Sequence, residues 1–152
     1  MKNPFPKAKI LVVDDDLNLQ SGLKRLLVKE NFIVEVASNG KDGLSKVGDF
    51  EPDCLLLDIG MPILNGNETL RMIKWLYPKA TKQKWFNSKT AVIIISGAKN
   101  FKPQEEWIAD GAFGFVSKPI NFEELYPLVI QALESKTTEH ESRQQLQKRS
   151  DS

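Results

Sequence analysis

The sequence predicts an α/β fold, a doubly wound five-stranded parallel sheet with helices on both faces. Three observations lead there. Apolar runs of strand length alternate with stretches of helical periodicity along the whole 152-residue chain. Most of these runs are apolar at consecutive positions, as strands covered on both faces are. Four of them end in polar residues. Ile10-Leu11-Val12-Val13 ends in Asp14-Asp15-Asp16, Cys54-Leu55-Leu56-Leu57 in Asp58, Ala91-Val92-Ile93-Ile94-Ile95 in Ser96, and Phe113-Gly114-Phe115-Val116-Ser117 in Lys118-Pro119. In a parallel sheet those ends lie along one edge, where open α/β sheets hold their ligands.

Each element has its own signal. Residues 9–13 read as a fully buried strand. A helix follows, with Asp16 as its cap and Leu19, Leu23, Leu26 and Leu27 on one face. Residues 32–37 alternate in polarity, which suits a strand nearer an edge. Ser38-Asn39-Gly40 turns the chain into a short helix carrying Leu44 and Val47. Residues 53–57 form the third strand. A loop over 60–66 leads to a third helix marked by Leu70, Ile73 and Leu76, stopped before Pro78. Residues 91–95 form the fourth strand. Pro103 at a first turn and Gly111 at a C-terminal cap bracket a fourth helix. Residues 113–116 form the fifth strand. Asn121 caps the last helix, with Glu124 placed to complete a capping box, and Pro127 inside it should remove one hydrogen bond and bend the axis.

Five βα units of this length require right-handed crossovers and a parallel sheet. The flavodoxin-like order 2-1-3-4-5 places the first and third strands side by side at the switch point, and their ends carry Asp14, Asp15 and Asp58.

Composition narrows the function class. Hydrophobic content of 41% and charged content of 27% are ordinary for a globular domain. A net charge of +1 gives no global pull toward nucleic acid or an anionic membrane. No apolar stretch approaches the roughly 20 residues that cross a bilayer, and the N-terminus has no apolar signal region. A single cysteine, Cys54, precludes an internal disulfide and reads as core packing. The expectation is a cytoplasmic protein without direct membrane or nucleic-acid contact.

The polar strand ends suggest their own chemistry. A carboxylate accepts a phosphoryl group when it can attack phosphorus in line and the charge on the phosphoryl oxygens is balanced. Asp58, alone at a strand end and followed by a loop, is the nucleophile. Asp14 and Asp15 add charge beside it, and three clustered carboxylates repel. Mg²⁺ would resolve this, taking oxygen ligands at about 2.0–2.1 Å and keeping several waters. Lys118 supplies a point charge for phosphate, Pro119 favours an extended backbone at Lys118, and Ser96 offers a hydroxyl to a phosphoryl oxygen.

Together these pieces resemble the receiver domain of two-component response regulators. The resemblance rests on Val13-Asp14-Asp15-Asp16, on the run from Asp58 through Met61-Pro62 to Asn65-Gly66, on Ile95-Ser96-Gly97-Ala98, on Asp110-Gly111-Ala112, and on Phe115-Val116-Ser117-Lys118-Pro119. It covers about residues 8–135. It implies that Asp58 is phosphorylated, that Asp15 binds Mg²⁺ directly and Asp14 mostly through water, and that the Gly60 carbonyl is a backbone ligand. It further implies that Lys118 binds phosphate, Ser96 is the switch hydroxyl and Phe115 the switch aromatic. The implied partners are a sensor histidine kinase or phosphotransfer protein and a downstream effector or a second copy of the chain. The protein would not be an enzyme acting on an external substrate. Asn65 stands where many members have Asp, at a position that is not a ligand. Gly60 and Ala98 carry no polar group beside the phosphate.

Two other classes fit parts of the pattern. An interaction module that keeps the fold and is never phosphorylated would not need the acids with Lys118. A flavodoxin-like nucleotide-binding protein or small hydrolase would carry a Gly-rich phosphate loop after the first strand, and none is present. The acidic run by itself could be a helix-capping cluster. His140 lies in a polar segment and reads as inert. Trp107 is either packing or a partner anchor. The segment 78–89 is long for its connection and holds four lysines with Trp85 and Phe86, either a solvated loop or a contact surface. Residues 1–136 are expected to form the receiver domain. The polar stretch 137–152 is expected to fray or stay disordered and is too short for an output domain, so output would act through the domain surface near Phe115.

Overall fold

In the computed structural model, the structure describes residues 2–60, 90–97, 104–109 and 112–151. The expected helix bearing Leu70, Ile73 and Leu76, the loop around Asn65, the segment 78–89 with Trp85 and Phe86, and Ala98, Pro103, Asp110 and Gly111 lie outside the described residues, as does the side chain of His140.

The described strands are β1 (Lys9–Val13), β2 (Ile33–Ala37), β3 (Cys54–Asp58), β4 (Ala91–Ser96) and β5 (Gly114–Ser117). They form one parallel sheet in the order β2-β1-β3-β4-β5. The apolar runs explain this directly: every residue of β3 and β4 is buried. The alternating β2 is an edge strand, and its Ile33 is 45% exposed. The third, fourth and fifth strands begin and end within a residue of the expected bounds.

Helices cover both faces. Ile10, Val12, Leu56, Ile93, Ile95 and Val116 pack against Leu23 and Leu27 of α1 (Leu17–Lys29) and against Leu125 and Val129 of the C-terminal helix (Phe122–Ser150). Leu11, Leu55, Leu57, Val92 and Ile94 pack on the other face against Val47 of α2 (Gly40–Phe50) and Trp107 of the short helix Gln104–Ala109. A fully buried Leu or Ile contributes about 1.5–3 kcal/mol relative to exposure. Leu56→Ala would therefore cost roughly 2–5 kcal/mol with its cavity.

Side-chain caps start the helices where the sequence indicates. Asp16 Oδ1 accepts from the N–H groups of Asn18 and Leu19 at 3.0 and 3.2 Å, and Asn39 Oδ1 from Asp42 N–H at 2.8 Å. Asn121 Oδ1 accepts from Glu123 N–H at 3.0 Å, while Glu124 N–H turns to the Asn121 carbonyl. Of the expected apolar face of α1, Leu23 and Leu27 are buried, but Leu26 is 40% exposed.

The segment 137–152 departs from expectation. The C-terminal helix continues through Ser150, 29 residues in all, with Pro127 accommodated inside it. Its composition gave no apolar period, yet residues 128–150 contain neither Gly nor Pro and are rich in Glu, Gln, Lys and Arg, strong helix formers. The first turns are docked on the sheet, so the polar turns propagate an existing helix and avoid the nucleation cost. Among the described residues no helix is long and apolar enough to cross a membrane.

Candidate functional site

The parallel register brings four strand ends together. Asp58 closes β3 and Ser96 closes β4. Asp14 follows β1 and Lys118 follows β5. Asp14, Asp58 and Ser96 are all buried, at 0%, 3% and 3% exposure, so the polar groups lie within the sheet edge rather than on open surface.

Lys118 holds the two buried carboxylates. Its ammonium donates to Asp58 Oδ2 at 2.8 Å and makes a 2.7 Å ion pair with Asp14 Oδ2. The Asp14 contact is close but lacks hydrogen-bond geometry, so it is ionic in character. The second oxygen of each acid turns to backbone: Asp58 Oδ1 accepts from Gly60 N–H at 2.7 Å, and Asp14 Oδ1 from Asp16 N–H at 2.8 Å. Lys118 N–H is anchored on the Ser96 carbonyl at 3.1 Å, which ties the lysine backbone to the end of β4. The Lys118-Pro119 peptide is cis.

The electrostatics follow from burial and pairing. Burial pushes the Asp58 carboxyl above its ordinary value; the hydrogen bonds from Lys118 and Gly60 oppose this, and the neighbouring Asp14 charge adds to it. Partial burial would lower the Lys118 ammonium, but its contacts with Asp14 and Asp58 outweigh that and hold it above the usual lysine value.

Asp15 completes the cluster from the exposed side. Asp14, Asp15 and Asp58 each offer a carboxylate oxygen, and these atoms lie within 4.8 Å of one another. Hard oxygen donors, two buried and one facing water, suit a divalent cation that keeps part of its hydration shell.

Every site residue expected from the sequence that is described falls at this edge or beside it. Gly60 enters through its N–H. Phe115 is half-buried, pairs in register with Ile94 and packs on the face that holds Trp107. Trp107 is itself only 6% exposed, which settles its two readings in favour of packing. Cys54 is buried and free, and burial drives its thiol far above the usual range, so it stays an unreactive core residue. One residue escaped the sequence reading. Gln20 is 4% exposed on the same helical stripe as Leu23 and Leu27, and its amide reaches the Asp14 carbonyl. The available signal was a polar residue on an otherwise apolar face.

Comparison with known proteins agrees with this geometry. The sequence profile of the response regulator receiver domain matches residues 10–130. The regulatory protein AtoC of Escherichia coli is 29% identical over 135 residues, covering 89% of this chain and 27% of that protein. The response regulator ArlR of Staphylococcus saprophyticus is 32% identical over 117 residues, covering 77% of this chain and 48% of that protein. A response regulator receiver domain protein from Clostridium thermocellum superposes with a TM-score of 0.71 at 29% identity, covering 86% of this chain and 98% of that one. The chain thus spans about a quarter to a half of the length of the curated relatives it matches.

Proposed function

The chain belongs to the response regulator receiver domain family of two-component systems, and on that premise we propose that it is a cytoplasmic, phosphorylation-dependent switch whose phosphoryl acceptor is Asp58. The observation that carries this reading is the setting of that carboxylate. It is buried at a strand end, with one oxygen on Gly60 N–H and the other on the Lys118 ammonium, and two further acids stand beside it.

A sensor histidine kinase or a phosphotransfer protein would supply the group. An Asp58 oxygen attacks the phosphorus of a phosphohistidine, the new O–P bond forms as the P–N bond breaks, and the electron pair returns to the imidazole. Asp15, Asp58 and the Gly60 carbonyl would hold Mg²⁺, with Asp14 acting mostly through water; the ion would neutralise charge on the phosphoryl oxygens. Lys118, already shared by Asp14 and Asp58, turns to a phosphoryl oxygen. Gly60 N–H and Lys118 orient the nucleophile before reaction. The Ser96 hydroxyl donates to the new group, Phe115 follows it inward, and the surface around β5 shifts between two populations. An effector or a second copy of the chain reads that surface. The protein acts on its own aspartyl phosphate rather than on an external substrate.

Incubation with Mg²⁺ and acetyl phosphate, followed by intact mass measurement, tests the reading. One hydroxylamine-labile phosphoryl group is expected, and none on Asp58→Asn. Equal labelling of that variant would overturn the assignment.

A further inference from the structure

Asp14 and Asp15 share a peptide bond, and that bond is held on more sides than strand pairing requires. Asp14 N–H donates to the Ala37 carbonyl at 3.0 Å. The Asp14 carbonyl, which belongs to the peptide linking it to Asp15, accepts from Gln20 Nε2. The same Nε2 reaches the Ala37 carbonyl at 2.9 Å and Ser38 Oγ at 3.1 Å. Two carbonyls facing one side-chain atom fix that atom as the amide nitrogen, because the amide oxygen there would meet only acceptors.

These bonds close a circuit. Asp14 Oδ1 accepts from Asp16 N–H, the Asp16 carbonyl accepts from Gln20 N–H at 3.0 Å, and the Gln20 side chain returns to the Asp14 carbonyl. Asp15 lies inside the loop so formed. The peptide that links it to Asp14 is thereby tied to the first turn of α1. A buried amide that served packing alone would be a costly choice beside Leu23 and Leu27, since an apolar residue would fill the same stripe without polar atoms to satisfy.

We propose that Gln20 is a positioning residue for the acid pair: its carboxamide locks the Asp14–Asp15 peptide and the neighbouring end of β2, and so pre-orients both carboxylates for a divalent cation beside Asp58. The inference rests on the function proposed above. A hydrogen-bond partner one step behind the ligands commonly sets metal affinity by 10–100-fold.

The test is Mg²⁺ affinity by isothermal titration calorimetry, measured well below the melting temperature, on the intact chain and two variants. Gln20→Met keeps the size and removes the donor. Gln20→Asn keeps an amide but withdraws it by one methylene, and serves if the first variant folds poorly. Both are expected to weaken Mg²⁺ binding about tenfold. Labelling by acetyl phosphate should slow at low Mg²⁺ and recover at saturating Mg²⁺. A lowered melting temperature with unchanged Mg²⁺ affinity in whichever variant folds would reduce Gln20 to a structural residue and overturn the proposal. Failure of the unaltered chain to bind Mg²⁺ or accept a phosphoryl group would instead overturn the functional reading beneath it.

Discussion

Lys118 stands 60 residues from Asp58 in the chain and 2.8 Å from it in space. The same ammonium lies 2.7 Å from Asp14. One cation thus balances two buried acids, and the pairing ties the end of β5 to the ends of β3 and β1. Removing it should leave two carboxylates in a poorly solvated site. Lys118→Met is expected to lower stability in Mg²⁺-free buffer by about 2 kcal/mol, below the full range for a buried pair because the lysine is partly solvated. Added Mg²⁺ should restore much of the loss. The sign with pH is also fixed. The lysine contribution is complete below the ordinary value of 10.5 and fades only as pH rises through the raised folded value. Urea titration with and without Mg²⁺ checks this; an unchanged midpoint would show that Lys118 does not balance the acids.

How much of this was legible in the sequence differs by residue. Asp14, Asp58, Ser96 and Lys118 were legible because consecutive apolar runs mark buried parallel strands, and parallel strands bring their C-terminal ends to one edge. Gln20 was not. Its role depends on where the β2 end sits relative to α1, and no local pattern encodes that distance. The polar turns after residue 136 read as frayed or disordered because apolar periodicity reports burial, whereas those turns are helical by propensity and continuation from a docked helix. Trp107 could not be assigned because a six-residue helix has too few positions to define a face.

Asp58→Asn should stabilise the fold at neutral pH when Mg²⁺ is absent. Burial raises the Asp58 carboxyl above its ordinary 3.8. Between that value and the raised one, the folded protein binds the proton more tightly than the unfolded chain does. Stability therefore falls as pH rises through that window and stays lower at pH 7. Asparagine removes the buried charge and keeps one oxygen, which can face the Lys118 ammonium, while its amide nitrogen gives up the bond from Gly60 N–H. The melting temperature at pH 7 should rise by a few degrees, on the order expected for about 1 kcal/mol, with a smaller gain near pH 4. Calorimetric scans at both pH values decide it, and a lower melting temperature at pH 7 would show that the ionised carboxylate is net stabilising.

Ser96→Ala should separate phosphorylation from response. Ser96 closes β4 and is 3% exposed, in register with Ser117 of β5, while Phe115 sits two residues earlier on that strand. Loss of the hydroxyl leaves Asp58, Lys118 and the acid pair in place, so acetyl phosphate labelling should stay within about threefold, less than the tenfold that 1.4 kcal/mol represents. Amide shifts around Phe115 on adding a phosphoryl mimic should shrink. Shifts as large as in the unaltered chain would remove Ser96 as the coupling residue.

Deleting residues 137–152 should cost helix but little stability. Among the described residues, the buried positions of the C-terminal helix are Leu125, Tyr126, Val129, Ala132 and Leu133, all before the cut. Beyond it, residues 144–151 are exposed and Leu146 is 65% exposed, so those turns contribute propensity and surface contacts rather than core. Thr137, the first residue removed, donates its hydroxyl to the Leu133 carbonyl at 3.2 Å, a bond within the helix that the cut removes without orphaning a buried group. The expected change is about 0.5 kcal/mol or less, with ellipticity at 222 nm falling by roughly the share of helical residues removed and acetyl phosphate labelling unchanged. A loss of several kcal/mol would mean that the polar turns pack on the domain. The boundary proposed at residue 136 would then have to move toward the C-terminus.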